Sequence, residues 1–464
     1  MQTKKSVFQI AKNAVIESWL GLLALVLFVT FGLGNHPVAA GAALIVAAVL
    51  AMNGLARTEN LLTEQGPSVW KEHPSLRWLH HVTSEGELAG ILVGFIALVL
   101  YGFTNGHLPH LPIYGMATII GVLSAARLAT RSMNEIMSLL ERVGGRGFAI
   151  AVGSLLSALT GPAASLYMAE YVKTRSKEKD RPKVATLLAA TIGSGNGLLP
   201  FVAPPVLIVW GTLQQQFGWG IGRLLLMAGL VCTAHVVVCT KIMLKYLQAP
   251  TEIQRAPLSA QRFLPLLPLV ALVTLHILTT DNPLVLGADL AIGLTNLILA
   301  KREYRGAEED RREEAHAAAW QPLILGILLV ALEVIGLWAT PTIASIAGLI
   351  PSAMPLFALA VTLFFVTAIV SHFADNALAS RVFIAIPVTM ITTLGQAPAE
   401  VLATAVILGA LFGGFLTIPA NLPNFPLARS LRVSAGQWLG SSWKIYPTAL
   451  IHIIALAIMV ALAR

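Results

Sequence analysis

RVGGRGFAIAVGSLLSALTGPAASLYMAEYVKTRSKEKDRPK, residues 142–183, sets the architecture of the whole chain. Its apolar middle, 147–172, is long enough to enter a bilayer, because a crossing helix needs about 20 apolar residues. Arg142 and Arg146 precede it, and Lys173, Arg175, Lys177, Lys179, Arg181 and Lys183 follow it. Lys and Arg mark the cytoplasmic side of membrane segments. Both ends therefore belong to one side, and the segment is expected to enter and return, with Thr160-Gly161-Pro162 as its tip. Non-helical backbone at membrane depth is tolerated only inside protein or beside a wet cavity.

Composition agrees with a membrane chain. Of 464 residues, 56% are hydrophobic and 12% charged, and the mean hydropathy is +0.76, so one polytopic domain is expected rather than several soluble ones. The 38 glycines and 25 prolines suit packed, interrupted membrane helices. The net charge of +8 comes from basic residues clustered between apolar segments, which points to orientation in the bilayer and not to nucleic acid. Cys232 and Cys239 read as packing residues. Lys4, Lys5 and Lys12 precede an apolar run, 19–33, that reads as a first span rather than a signal peptide, because only further membrane segments follow.

About eleven spans are expected at this length. They fall near 17–34, 38–56, 86–104, 113–131, 184–211, 220–243, 263–280, 284–300, 320–339, 399–427 and 445–463. Arg57, Lys71 and Arg77 mark one loop as cytoplasmic, as do Lys241, Lys245, Arg255 and Arg262, then Lys301 through Arg312, then Arg429, Arg432 and Lys444. The run 308–314 reads as a solvated surface helix. A second apolar stretch, 355–394, has flanks without Lys or Arg and should open to the other side. Its centre is Ser371-His-Phe-Ala-Asp-Asn-Ala-Leu-Ala-Ser380.

Each hairpin is followed by an apolar segment broken in its middle. The first holds Gly193-Ser-Gly-Asn-Gly197 and then Pro200 and Pro204; the second holds Gly413-Gly414 and then Pro419-Ala-Asn-Leu-Pro423-Asn424. Ser157 through Gly161 parallels Ser371 through Asp375. After an extra N-terminal helix (1–36), residues 37–248 and 249–464 thus read as two repeats. Their hairpins lie near 147–172 and 355–394, and their broken helices are 184–211 and 399–427. The loop charges give them opposite orientation. The fold class expected is all-α and polytopic, with two re-entrant hairpins in inverted-topology repeats. In secondary transporters of that design the site lies near mid-membrane between the repeats.

Breaking a helix in a membrane frees backbone groups that need partners. The breaks add neutral oxygens on Ser194, Asn196, Thr417, Asn421 and Asn424, which either cap helix ends or bind a small hard cation. Asp375 is an acid where water is scarce, a functional-site hypothesis by default. It holds a cation or a proton, or else pairs with Arg381. Sodium and a proton competing at one carboxylate would give exchange. Ser371 lies four residues before Asp375, and His372 four before Asn376; if that arm is helical, each pair shares a face. His372 is a candidate proton relay, although packing is the favoured reading. Glu333 reads as a proton site or as the partner of Arg127 or Arg381. Asp289 and Glu17 read as interfacial, and His235, His276 and His452 as packing. No zincin, P-loop or zinc-spaced cysteine motif is present, so an enzyme is not expected.

The order hairpin, broken helix, then the same inverted, with Ala374-Asp-Asn376 and Pro419-Ala-Asn-Leu-Pro-Asn424, resembles the ion transporter superfamily. That group holds NhaD-type sodium–proton antiporters, arsenite permeases and sodium–dicarboxylate symporters. The chain is most similar to a bacterial family described as sodium–proton antiporters. NhaD-type members tend to carry an Asp-Asn pair at both hairpins, whereas this chain has Gly161-Pro162 in the first. Antiport is the expected function, with Asp375, Asn376, Ser371, Thr417, Asn421, Asn424, Ser194 and Asn196 as ion ligands, no cofactor beyond transported sodium and protons, and a bacterial inner membrane location with the N-terminus inside and the C-terminus outside. The resemblance also implies dimers. A sodium-coupled anion symporter, its anion held by Arg381 and helix N-termini, is the alternative. A membrane enzyme using Asp375 and His372 comes third.

Overall fold

A computed structural model describes residues 20–65, 85–161, 164–201, 203–248, 260–279, 282–303, 309–351, 353–418, 420–421 and 424–463. The regular elements among them are all helices. Seven helices, or eight if one bent pair is a single crossing, are long and apolar enough to cross a membrane. Five shorter apolar helices join them, among them Leu20–Leu33 at the expected first span. The expected tip residue Pro162, the breaks' Pro419 and Pro423, Glu17, and the basic markers Lys71, Arg77 and Arg255 lie outside the described residues.

Burial runs opposite to that of a water-soluble helix. Along Pro283–Glu303, Leu284, Leu290, Leu294 and Ile298 are exposed, whereas Asp289 and Asn296 are buried. On Leu20–Leu33, Leu20, Leu22, Leu23 and Val26 are exposed. Apolar side chains outward and polar side chains inward is the order that lipid favours. The molecule is a polytopic helical membrane protein.

The described residues group into two compact units. The first takes 1–116 and 297–350. In it, Pro37–Gln65, Glu85–Asn105 and Glu309–Gly348 pack on one another in all three pairings. Small residues make the crossings: a Cβ on Gly41 would overlap the Trp338 carbonyl, and one on Gly94 would overlap Ala331. Thr342 Oγ1 donates to the Val38 carbonyl at 2.6 Å, and Trp338 Nε1 donates to the Ala97 carbonyl at 3.1 Å. Glu309–Gly348 has 40 residues, about 60 Å at 1.5 Å per residue, so the charged run at 309–314 continues directly into the expected 320–339 span. These units are grouped by packing and cut the chain differently from the repeats at 37–248 and 249–464.

The second unit, 117–296 with 351–464, holds both expected hairpins and both broken helices. Gly145 breaks Thr130–Leu155 with φ 76°, a conformation that favours glycine, so the leading arm of the first hairpin starts where the apolar run starts. Gly161, at φ 52°, ends Ser157–Thr160, and Ala164–Lys173 returns against the leading arm. The second expected hairpin is occupied by Leu356–Phe373 and, after Ala374-Asp375, by Asn376–Phe383 and Ala385–Leu394; 356–373 and 376–394 are each long and apolar enough to cross a membrane. At each expected break one helix ends and another begins. Arg181–Asn196 stops and Pro204–Phe217 begins, with prolines at its start where the missing N–H is harmless. Gln396–Gly413 likewise stops ten residues before the start of Asn424–Leu431.

Packing in this unit follows one scheme twice. The leading half of each broken helix lies on its own hairpin: Arg181–Asn196 on Thr130–Leu155 and Ala164–Lys173, Gln396–Gly413 on Leu356–Phe373 and Ala385–Leu394. The trailing half lies on the other hairpin's returning arm: Pro204–Phe217 on Asn376–Phe383, Asn424–Leu431 on Ala164–Lys173. Single contacts recur as well. Ser157 Oγ donates to the Ile192 carbonyl at 2.9 Å, and Ser371 Oγ to the Ala410 carbonyl at 2.8 Å. A Cβ on Gly195 would strike the Ser154 carbonyl, and one on Gly413 the Ala368 carbonyl.

Candidate ion site

The second hairpin turns because Asp375 leaves the helical conformation (φ −137°, ψ 146°) and caps the next helix, its Oδ1 accepting the Ala377 N–H at 2.7 Å. The carboxylate is therefore fixed at the start of Asn376–Phe383. Asp375 is 7% exposed and Asn376 2%.

Three contacts join this tip to the second break. Ser371 reaches the Ala410 carbonyl, as above. Thr417 Oγ1 donates to the His372 carbonyl at 2.8 Å. At Gly414 the approach is closest: a Cβ there would lie 3.2 Å from Asn376 Nδ2 and 3.4 Å from Asn421 Nδ2. Asn421 also reaches the first broken helix, since a Cβ on Gly193 would lie 3.7 Å from its Nδ2. The tip and both broken helices thus meet around Gly414 and Asn421.

Asn424 carries the most telling polar group. Its Nδ2 donates to the Gly414 and Thr417 carbonyls, each at 2.7 Å. Both amide protons are then used, which fixes the orientation of the amide. Oδ1 is left as a buried acceptor with no hydrogen-bond partner among the described residues. Asn196 Oδ1, on Arg181–Asn196, is also buried with no hydrogen-bond partner among the described residues. A buried oxygen of this kind costs roughly 1–3 kcal/mol unless something fills its lone pairs.

Ser194 points another way. Its Oγ lies 2.6 Å from His235 Nδ1, and His235 Nε2 lies 2.9 Å from Thr448 Oγ1. Thr448 gives its own proton to the Ile445 carbonyl, so Nε2–H donates to Thr448 and Nδ1 accepts from Ser194. The proton of Ser194 is engaged by the final helix of the first half, and its oxygen keeps its lone pairs. The His452 ring stands edge-on to His235, 4.8 Å away. His235 and His452 thus belong to a hydrogen-bonded and ring-packed cluster behind Ser194, a role the sequence reading assigned only to packing. One histidine in the final span of each half was the available signal.

Asp375, Asn376, Ser371, Thr417, Asn421 and Asn424 are brought together, and Asn196 and Ser194 sit on the helix that meets them. His372 lends its carbonyl, while its ring Nδ1 finds no hydrogen-bond partner among the described residues. Glu333 belongs to the other compact unit. Arg127, considered as its partner, donates to Asn296 Oδ1 at 2.5 Å. Asp289, expected near a span end, is 1% exposed and lies 3.1 Å from His276 Nε2, because Gly121 lets the neighbouring helix close over it. No group of three or more His, Cys, Asp or Glu able to hold a metal occurs among the described residues, so the donors here are one carboxylate and neutral oxygens. Neither a family model nor a curated protein matches this chain.

Proposed function

We propose that the protein is a secondary active transporter that exchanges sodium for protons by alternating access, with the cation held near the second hairpin tip. The supporting observation is the fixed, buried Oδ1 of Asn424, which has no hydrogen-bond partner among the described residues, in the loop whose Gly414 also meets Asn376 and Asn421. Buried neutral oxygens near one carboxylate suit a small hard cation, as oxygen-rich sites generally do. Asp375 already occupies the start of Asn376–Phe383, its Oδ1 accepting the Ala377 N–H, so a negative group stands where an anion would bind at that tip. Sodium and a proton would then exclude each other at Asp375. In this reading the hairpins are re-entrant, the repeats are inverted, and about eleven spans place the chain in a bacterial cytoplasmic membrane. The first hairpin's returning arm, Ala164–Lys173, is ten residues, about 15 Å, too short to cross.

The test is an imposed pH gradient across everted membrane vesicles. Added sodium should collapse it in the wild type and leave it intact with Asp375→Asn. Sodium movement that appears only with an added organic anion would replace antiport with the symport alternative.

A further inference from the structure

We infer that His276 and Asp289 form a second, proton-binding site, separate from the cation site, and that it bears on the first break through Phe201. This rests on the exchange reading for its role, although proton binding itself does not. His276 Nε2 lies 3.1 Å from Asp289 Oδ2 and 3.3 Å from Oδ1, with side chains 11% and 1% exposed. They stand on Leu267–Leu278 and Pro283–Glu303, helices that are otherwise apolar at this level. The pair is enclosed by design of the sequence. A Cβ on Gly121 would lie 2.6 Å from Asp289 Cα, and one on Gly293 would lie 2.6 Å from Ile120 Cγ2, so any larger residue at either position would force the helices apart.

The remaining polar groups define the charge. The stretch 117–128 packed on Asp289 contributes Arg127 as its one titratable group; 267–278 and 283–296 add none besides the pair; residues 197–201 and 203, beside the imidazole, add none. Arg127 is bound to Asn296, two turns along the helix from Asp289, and Asn296 Nδ2 donates to Ser124 Oγ at 3.4 Å. Arg127 keeps its charge. With the imidazole neutral and the carboxylate ionised, the cluster is formally neutral; one added proton makes it +1. The proton comes from water on one side and leaves to water on the other, and no other bond changes. Buried Asp, His and Glu in membrane helices are the usual carriers of such steps.

The link runs to the first break, by direct packing on Phe201. The imidazole stacks on Phe201, centroids 5.6 Å apart and planes at 26°. Phe201 lies in the break between Arg181–Asn196 and Pro204–Phe217, a few residues from Asn196. Charging the ring changes its attraction for the aromatic face, because a cation is drawn to the ring's negative quadrupole face. That biases the conformation of the break that carries Asn196.

The experiment uses purified full-length protein in lipid vesicles, with two readouts. Infrared difference spectra between acid and neutral pH should contain a carboxyl or imidazolium band that both Asp289→Asn and His276→Gln remove. In transport, both variants should lose at least 10-fold in uptake of labelled sodium driven by a pH gradient, yet keep sodium–sodium exchange, which needs no proton. Asp375→Asn should lose both. Wild-type-like gradient-driven uptake together with an unchanged infrared spectrum in the two variants overturns the inference. If the wild type shows no sodium exchange at all, the exchange reading fails, and the infrared band still decides whether the pair takes up a proton. Should Asp289→Asn fail to fold, His276→Gln, which keeps a neutral donor, carries both readouts.

Discussion

The two hairpins are alike in how they are held and unlike in what their tips do. Each leading arm sends a serine hydroxyl to a carbonyl of its own broken helix, Ser157 to Ile192 and Ser371 to Ala410. Each is pressed against a glycine, Gly195 or Gly413. The first tip then satisfies itself: Thr160 Oγ1 and Tyr167 OH lie 3.1 Å apart, and Tyr167 OH donates to the Gly153 carbonyl at 3.2 Å, all within the hairpin. The second tip carries Asp375 and turns outward to the break, through Thr417, Asn376 and Gly414. Serine and glycine positions common to both halves build the frame. The polar groups present in one half are where chemistry is to be sought.

The largest expected effect breaks the comparison at the tips. Asp375→Asn should reduce gradient-driven sodium movement roughly 100-fold or more, because it removes the one carboxylate of the tip while keeping its shape. Tyr167→Phe, at the first tip, should lose about 1 kcal/mol of stability from its hydroxyl contacts and leave transport within about twofold. Comparable transport losses in the two variants would mean that both tips are structural.

Next in size are the frame glycines, where the halves should behave alike. Gly195→Ala and Gly413→Ala each drive a methyl into a backbone carbonyl that cannot swing away, at a cost of about 1–3 kcal/mol. Thermal unfolding in detergent should fall for both by similar amounts. Gly211→Ala, on Pro204–Phe217 with open space around its Cβ position, should instead hold or gain up to about 1 kcal/mol. A drop in only one frame variant would show that the two halves share sequence order without sharing packing.

Much of the frame was legible because charge and glycine spacing obey strong rules. Basic flanks drew attention to 147–172, Gly193-Ser-Gly-Asn-Gly197 marked where Arg181–Asn196 ends, and Asp375 stood out as an acid in an apolar run. What escaped was pairing across distance. Asp289 lies six residues inside Pro283–Glu303, so position along the chain suggested an interface. Its burial depends on Gly121, and its partner His276 sits across a loop; no local pattern carries either fact. His235 was hidden the same way, since its partners Ser194 and Thr448 are 41 and 213 residues away. Lone histidines in apolar helices look alike until such partners are known. The compact units were not foreseen either, because the first gathers 1–116 with 297–350 from both halves, and helix periodicity does not report which helices group together.

The smallest expected effect is the sharpest test of the comparison. Ser157→Ala and Ser371→Ala remove hydroxyls that make nearly the same bond, 2.9 and 2.8 Å, in buried surroundings. Each should cost about 0.5–1.5 kcal/mol, and the two unfolding temperatures should shift together. A serine that donates its proton still has oxygen lone pairs to offer. At Ser157 these belong to a hairpin whose Thr160 and Tyr167 hydroxyls bond within it; at Ser371 they lie four residues before Asp375, in the last turn before the helix ends at Phe373 and not on a helix face shared with Asp375. Sodium affinity, read from the concentration dependence of labelled uptake, should therefore weaken severalfold in Ser371→Ala and stay unchanged in Ser157→Ala. Equal stability loss with unequal sodium dependence separates frame from site within a single pair of matched hydroxyls; equal sodium dependence would return Ser371 to the frame and leave Asp375 and the asparagines to hold the cation.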